Sequence, residues 1–166
     1  MKQIFVFILL TSLLMVNAIP YQLYKRTTNF GACPVDPPPS LLTVKLSPDP
    51  IVPGKTVAVT ISGKLAVEVP AEQGSTLAQV PFLDTDYVPI IDPFSTDFCT
   101  CDGIKCPIPA GTEFNTVVNV PVPESAVLPP QFEIAVAIVN GAGDFLGCAL
   151  SDVLSSASRK DFFLRK

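Results

Sequence analysis

The chain has 166 residues, with 11 Lys and Arg against 15 Asp and Glu, and it contains no histidine. Without histidine a Ser-His-Asp or Cys-His arrangement is impossible, and the usual zinc hydrolase ligand sets are missing. The acidic balance also argues against nucleic acid, where affinity rests on Lys and Arg contacts to phosphate.

Lys2 supplies a positive start, Ile4 to Val16 is almost unbroken apolar, and Val16-Asn17-Ala18 fits a small-residue cleavage site. Residues 1–18 therefore read as a signal peptide. The apolar run is shorter than the ~20 residues that a membrane span requires. Lys25-Arg26 then offers a dibasic processing site that would make residues 19–26 a pro-segment; the alternative is a solvated charge pair. After Arg26 there remain 140 residues, enough for one domain with its own core. No second apolar run of membrane length follows, so the mature protein is expected to be soluble. Its charge is uneven: residues 27–152 hold 14 acids and 4 lysines, while residues 153–166 carry a net +3.

The body reads as strands. Val57, Val59 and Ile61 alternate with Thr56, Ala58, Thr60 and Ser62, and Leu65, Val67 and Val69 keep the same period of two. Phe114, Thr116, Val118 and Val120 repeat it, and Phe132, Ile134, Val136 and Ile138 show it most clearly. Pro53-Gly54, Ala110-Gly111, Pro129-Pro130 and Asn140-Gly141 punctuate these runs as turns. Scattered prolines disfavour helices. The expectation is an all-β sandwich of seven or eight short strands. Ala58, Ala66, Ala135, Ala137 and Val139 also put small or apolar residues on the second face, where a sandwich normally shows polar ones. Two readings follow: a central strand covered by a loop, or more apolar lining than a close-packed core needs.

Between Asp97 and Gly111, Cys99, Cys101 and Cys106 fall within eight residues. A zinc site would need a fourth ligand, so the spacing reads as a short disulfide loop in an oxidising compartment. Asp84, Asp86, Asp92 and Asp97 lack the spacing and closing Glu of a calcium loop and read as a solvated acidic stretch. Gly141-Ala-Gly143 is a hairpin turn and not a phosphate loop, because no helix follows it. Nothing singles out a catalytic carboxylate pair. Neither catalysis nor a cofactor or metal is expected. Residues 153–166 read as a flexible basic tail, with Ser155 to Ser158 as linker and Phe162, Phe163 and Leu164 among basic residues. The tail is either a frayed end or a weak contact with an anionic membrane.

Cys33-Pro34, Pro50-Ile-Val-Pro-Gly-Lys55 leading into Val57 to Gly63, Asp97-Phe-Cys99 with Cys106-Pro-Ile108, and Gly147-Cys148-Ala149 together resemble an ML lipid-recognition domain over residues 32–152. The chain is most similar to the secreted fungal phosphatidylglycerol/phosphatidylinositol transfer proteins of that family, and also resembles its Niemann-Pick type C sterol carrier. The resemblance implies an immunoglobulin-like sandwich whose sheets splay around an apolar cavity. It pairs Cys33 with Cys148, and Cys106 with Cys99, leaving Cys101 unpaired; Cys101 in place of Cys99 stays open. Alternation and the family's habit together would line the cavity with Val59, Ile61, Leu65, Val67, Phe114, Val118, Ile134, Val136 and Ile138, with Phe82 and Phe145 at its mouth.

The implied protein is a secreted or endomembrane-lumenal monomer that holds one lipid and transfers it between membranes by transient contact. Broad specificity for sterol and for phospholipids such as phosphatidylinositol and phosphatidylglycerol is expected, because an acidic body receives an anionic head poorly. The alternative is a secreted recognition module whose loops bind another protein.

Overall fold

The computed structural model describes residues 28–154 apart from Val127 and Pro130. The expected signal peptide and pro-segment, and the expected tail from residue 155 onward, lie outside the described residues. Among the described residues, ten strands form two sheets. The first sheet contains β1 (Phe30–Gly31), β2 (Ser40–Leu41), β5 (Thr76–Val80), β6 (Phe82–Leu83), β7 (Phe94–Asp97), β9 (Gln131–Asn140) and β10 (Phe145–Leu154). Its order is β1-β10-β9-β5-β7, with β2 beside β10 and β6 beside β9. The second sheet has the order β3-β4-β8, from Thr43–Ser47, Thr56–Lys64 and Glu113–Pro121. One short 3-10 turn, Phe98–Thr100, follows β7. The count exceeds the expected seven or eight because β1, β2 and β6 are two-residue pieces, too short for alternation to reveal.

Alternation sets the register. Along β8, Phe114, Thr116, Val118 and Val120 are buried while every residue between them is exposed. Val57, Val59 and Ile61 of β4 face the same interior, opposite Ile134, Val136 and Ile138 of β9. Burying each such side chain contributes about 1.5–3 kcal/mol. The second face of β9 is also covered: Ala137, Val139 and Cys148 form a separate small cluster packed by Cys33 and Leu77. Of the two readings of that apolar second face, a covered central strand is the one realised here.

Two expectations fail. The run Leu65–Val69 is not a strand: β4 ends at Lys64, and the chain bends across from the small sheet to the large one. Leu65 and Val69 remain buried, Val69 through a bridge to Ile108, but Val67 is left 47% exposed. The tail also begins later than expected, since Val153 and Leu154 extend β10 against Phe132 and Gln131.

Gly147 of β10 packs tightly against Leu42 and Leu65, which flank the strands of the small sheet. A Cβ there would lie 2.8 Å from the Cδ2 atoms of both Leu42 and Leu65. Gly147→Ala is therefore expected to destabilise the domain by about 1–3 kcal/mol, the usual range for overpacking. Urea denaturation measures this directly, and an unchanged midpoint would show that the two leucines move aside freely.

Candidate functional site

A cleft lies at one end of the sandwich, between the end of β8 and the start of β7. β8 ends at Pro121 and is followed by Pro123, while Pro93 immediately precedes β7. Pro121 and Pro123 have no N–H to donate, but Val122 between them still donates to Lys55 O at 3.1 Å and accepts from Gly54 N–H at 3.0 Å, so the pairing runs on past Pro121. The cleft is about 760 Å³, within the range of roughly 300–1,000 Å³ usual for small-molecule sites. Phe82 and Val120, each 1% exposed, form its floor. Ile90, Ile91 and Phe94 make one wall and Pro121, Pro123 and Ala126 the other. Phe82 is fixed from behind by Phe132, whose ring lies 6.3 Å away at 25°.

Polar groups occupy the rim. Asp92, Ser95 and Ser125 are exposed there, and among the described lining residues no lysine or arginine occurs. Lys64 is held by Glu113 at 3.0 Å, at the far end of β4 from the cleft. Two other aspartates of the acidic stretch, Asp84 and Asp97, hold backbone. Asp84 Oδ1 accepts from the N–H groups of Asp86 and Val88, each at 2.9 Å. Asp97 caps the 3-10 turn through Cys99 N–H at 2.9 Å and receives Gly74 N–H, also at 2.9 Å.

Two disulfides brace the sandwich, Cys33–Cys148 and Cys99–Cys106, separated in sequence by 115 and 7 residues. A family model for the ML domain matches residues 27–154. The chain belongs to the ML domain family.

Among solved structures, a Niemann-Pick type C2 protein from Japanese carpenter ant is 20% identical, with a TM-score of 0.56 over 75% of this chain and 96% of that one. Chicken MD-1, complexed with lipid IVa, is 13% identical, with a TM-score of 0.48 over 76% of this chain and 88% of that one. No curated protein matches the chain by sequence.

In this ML domain the third cysteine of the short loop, Cys101, is a free thiol. Burial, and then the nearby Asp97 and Asp102 carboxylates, raise its pKa above the ordinary thiol value. Alkylation by iodoacetamide is accordingly expected to be slower at neutral pH than for an exposed cysteine, and to accelerate only at higher pH than usual. A rate equal to that of glutathione at pH 7.5 (~7.5, chosen below the free-thiol pKa of about 8.5) would contradict this.

The residues expected to line a cavity divide into three groups. Phe82 lies in the cleft. Val59, Ile61, Leu65, Phe114, Val118, Ile134, Val136 and Ile138 are buried in the core of the ML sandwich and do not line the cleft. Val67 and Phe145 are exposed, at 47% and 44%. Phe145 pairs with Val139, at the end of β9 remote from Ile134 and Phe82, so it does not stand at this mouth. Sequence reasoning missed Ile90, Ile91, Phe94, Val120 and Ala126. The sequence signal nearest to them is the set of prolines Pro93, Pro121 and Pro123, all of which line the cleft.

Proposed function

We propose that this ML domain binds one lipid with its apolar part in the cleft between Phe82, Ile91, Phe94 and Val120, and carries it between membranes as a monomer. The observation that carries the reading is the apolar-floored cleft of about 760 Å³ at the open end of an ML sandwich. Burial of apolar ligand surface at about 25 cal/mol per Å² supplies the affinity, and no covalent chemistry is required. Two disulfides fit an oxidising compartment, either outside the cell or within the endomembrane lumen.

Broad specificity, sterol and phospholipid together, suits a site with few polar groups. Asp92 on the rim and the lack of lysine or arginine among the described lining residues disfavour a phosphate head, although Lys55 immediately precedes Thr56, which pairs with Pro121. Native mass spectrometry of gently purified protein is the direct test, and a co-purified lipid is the expected result. Competition of a bound fluorescent sterol by phosphatidylinositol vesicles then ranks the two classes. A clean apo mass, with no sterol bound and no phosphatidylinositol taken up, would overturn the carrier reading in favour of a protein-binding module.

A further inference from the structure

We propose that the turn from Asp84 to Pro89 is a membrane-docking element that sets the mouth of the cleft against a bilayer of choline-headed lipids; this rests on the reading of the cleft as a lipid site. The tip of the turn carries Tyr87 and Val88, 54% and 55% exposed. Tyr87 has φ +62°, and among the described residues it is the only non-glycine residue with a positive φ. A bulky aromatic is disfavoured in the left-handed region, where glycine fits without strain. The turn nevertheless holds it there. Asp84 Oδ1 accepts from Asp86 and Val88 N–H, Asp84 N–H donates to Val88 O at 2.9 Å, and Tyr87 N–H donates to Asp84 O at 3.1 Å. Glycine would give an easier backbone and no exposed ring, so the gain from tyrosine lies outside the fold.

The tip is rigidly joined to the mouth. Two residues after Val88, Ile90 N–H donates to Phe82 O at 2.8 Å, and both residues line the cleft. A second apolar tip rises from the opposite wall. Val52 is 44% exposed, and its carbonyl accepts from Lys55 N–H, while Lys55 O accepts from Val122 N–H between the cleft residues Pro121 and Pro123. Apolar side chains thus stand on both sides of the opening.

Charge selects the surface. Asp86 and Asp92 are exposed near the first tip, exposed Lys55 follows Val52 at the second, and no cation lines the cleft among the described residues. A choline head presents a quaternary ammonium outermost, which carboxylates attract and the face of a tyrosine ring binds by cation–π interaction. A bilayer of purely anionic heads would instead be repelled at low salt. Tyrosine also prefers the interfacial zone of a bilayer.

The chain contains no tryptophan, so Val88→Trp introduces a single reporter at the tip. Its emission is expected to shift to the blue with phosphatidylcholine vesicles, and to shift less with phosphatidylglycerol vesicles at low salt. Tyr87→Gly is expected to weaken association with phosphatidylcholine vesicles by about tenfold without lowering the melting temperature. Lipid uptake from those vesicles should slow to match, while uptake from detergent-solubilised lipid stays unchanged. An emission indifferent to vesicles, a stronger response to phosphatidylglycerol, or uptake slowed equally from both sources would overturn the proposal. A protein that docks through Tyr87 but takes up lipid from neither source would instead overturn the reading of the cleft and leave the docking surface standing.

Discussion

Replacing Cys33 and Cys148 together by alanine is expected to lower the unfolding free energy by about 5 kcal/mol in urea denaturation. The bridge closes a separation of 115 residues, and the chain-entropy cost released on cutting it grows with the logarithm of that length. Cys99–Cys106 spans only 7 residues, and the same relation gives about 2.5 kcal/mol for it. Alanine is the right replacement because Cys148 is 3% exposed and packs with Ala137 and Val139, where a serine hydroxyl would lack a partner. Against a total stability of roughly 5–15 kcal/mol, the longer bridge alone decides whether the domain stays folded when warmed. Equal losses from the two double substitutions would show that the bridges act through native packing and not through the unfolded chain.

Ala126→Trp and Val136→Trp are expected to behave in opposite ways. Ala126 borders the cleft and is only half-buried, so an indole there occupies ligand space. Lipid loading should fall by more than about tenfold, while the fold is retained. Val136 is fully buried in the centre of β9, with Ile134 and Ile138 beside it in the same core. Tryptophan at that position has no free volume to enter and should destabilise the domain by at least about 1–3 kcal/mol. Native mass spectrometry and thermal melting on both variants give the comparison. A folded Val136→Trp that no longer binds lipid would place the ligand deep between the sheets and move the site away from the open end.

Strands announce themselves when one face is wet and the other dry, and β8 is the clearest instance, with Thr116 keeping the inward pattern by donating its hydroxyl to Asp102 O at 2.7 Å. Leu65–Val69 shows the same period without being a strand, because local alternation cannot register that Leu65 O is bonded to Gly111 N–H and that the chain is crossing between sheets. The cysteine pairing was legible only through the family resemblance, since spacing leaves Cys99 and Cys101 equivalent. The cleft was the least legible part. Val136 in a packed core and Phe82 in the floor of a cleft need the same kind of apolar side chain, and residues 90–94 form a wall with no periodicity at all. Pro93, Pro121 and Pro123 mark the place in the sequence, and all three line it.

The sheet order β1-β10-β9 puts the first described strand beside the last, with Phe30 opposite Ser151 and Gly31 opposite Leu150. Synthesis runs from the N-terminus at about 5–20 residues per second, so Cys33 waits on the order of ten seconds for Cys148 to be made. During that interval Cys99, Cys101 and Cys106 emerge first, and each is a chemically competent partner for Cys33. The small sheet, whose strands lie wholly between Thr43 and Pro121, can assemble before the large one. Correct oxidation of this protein is in that sense a race, run in the order in which its strands are born.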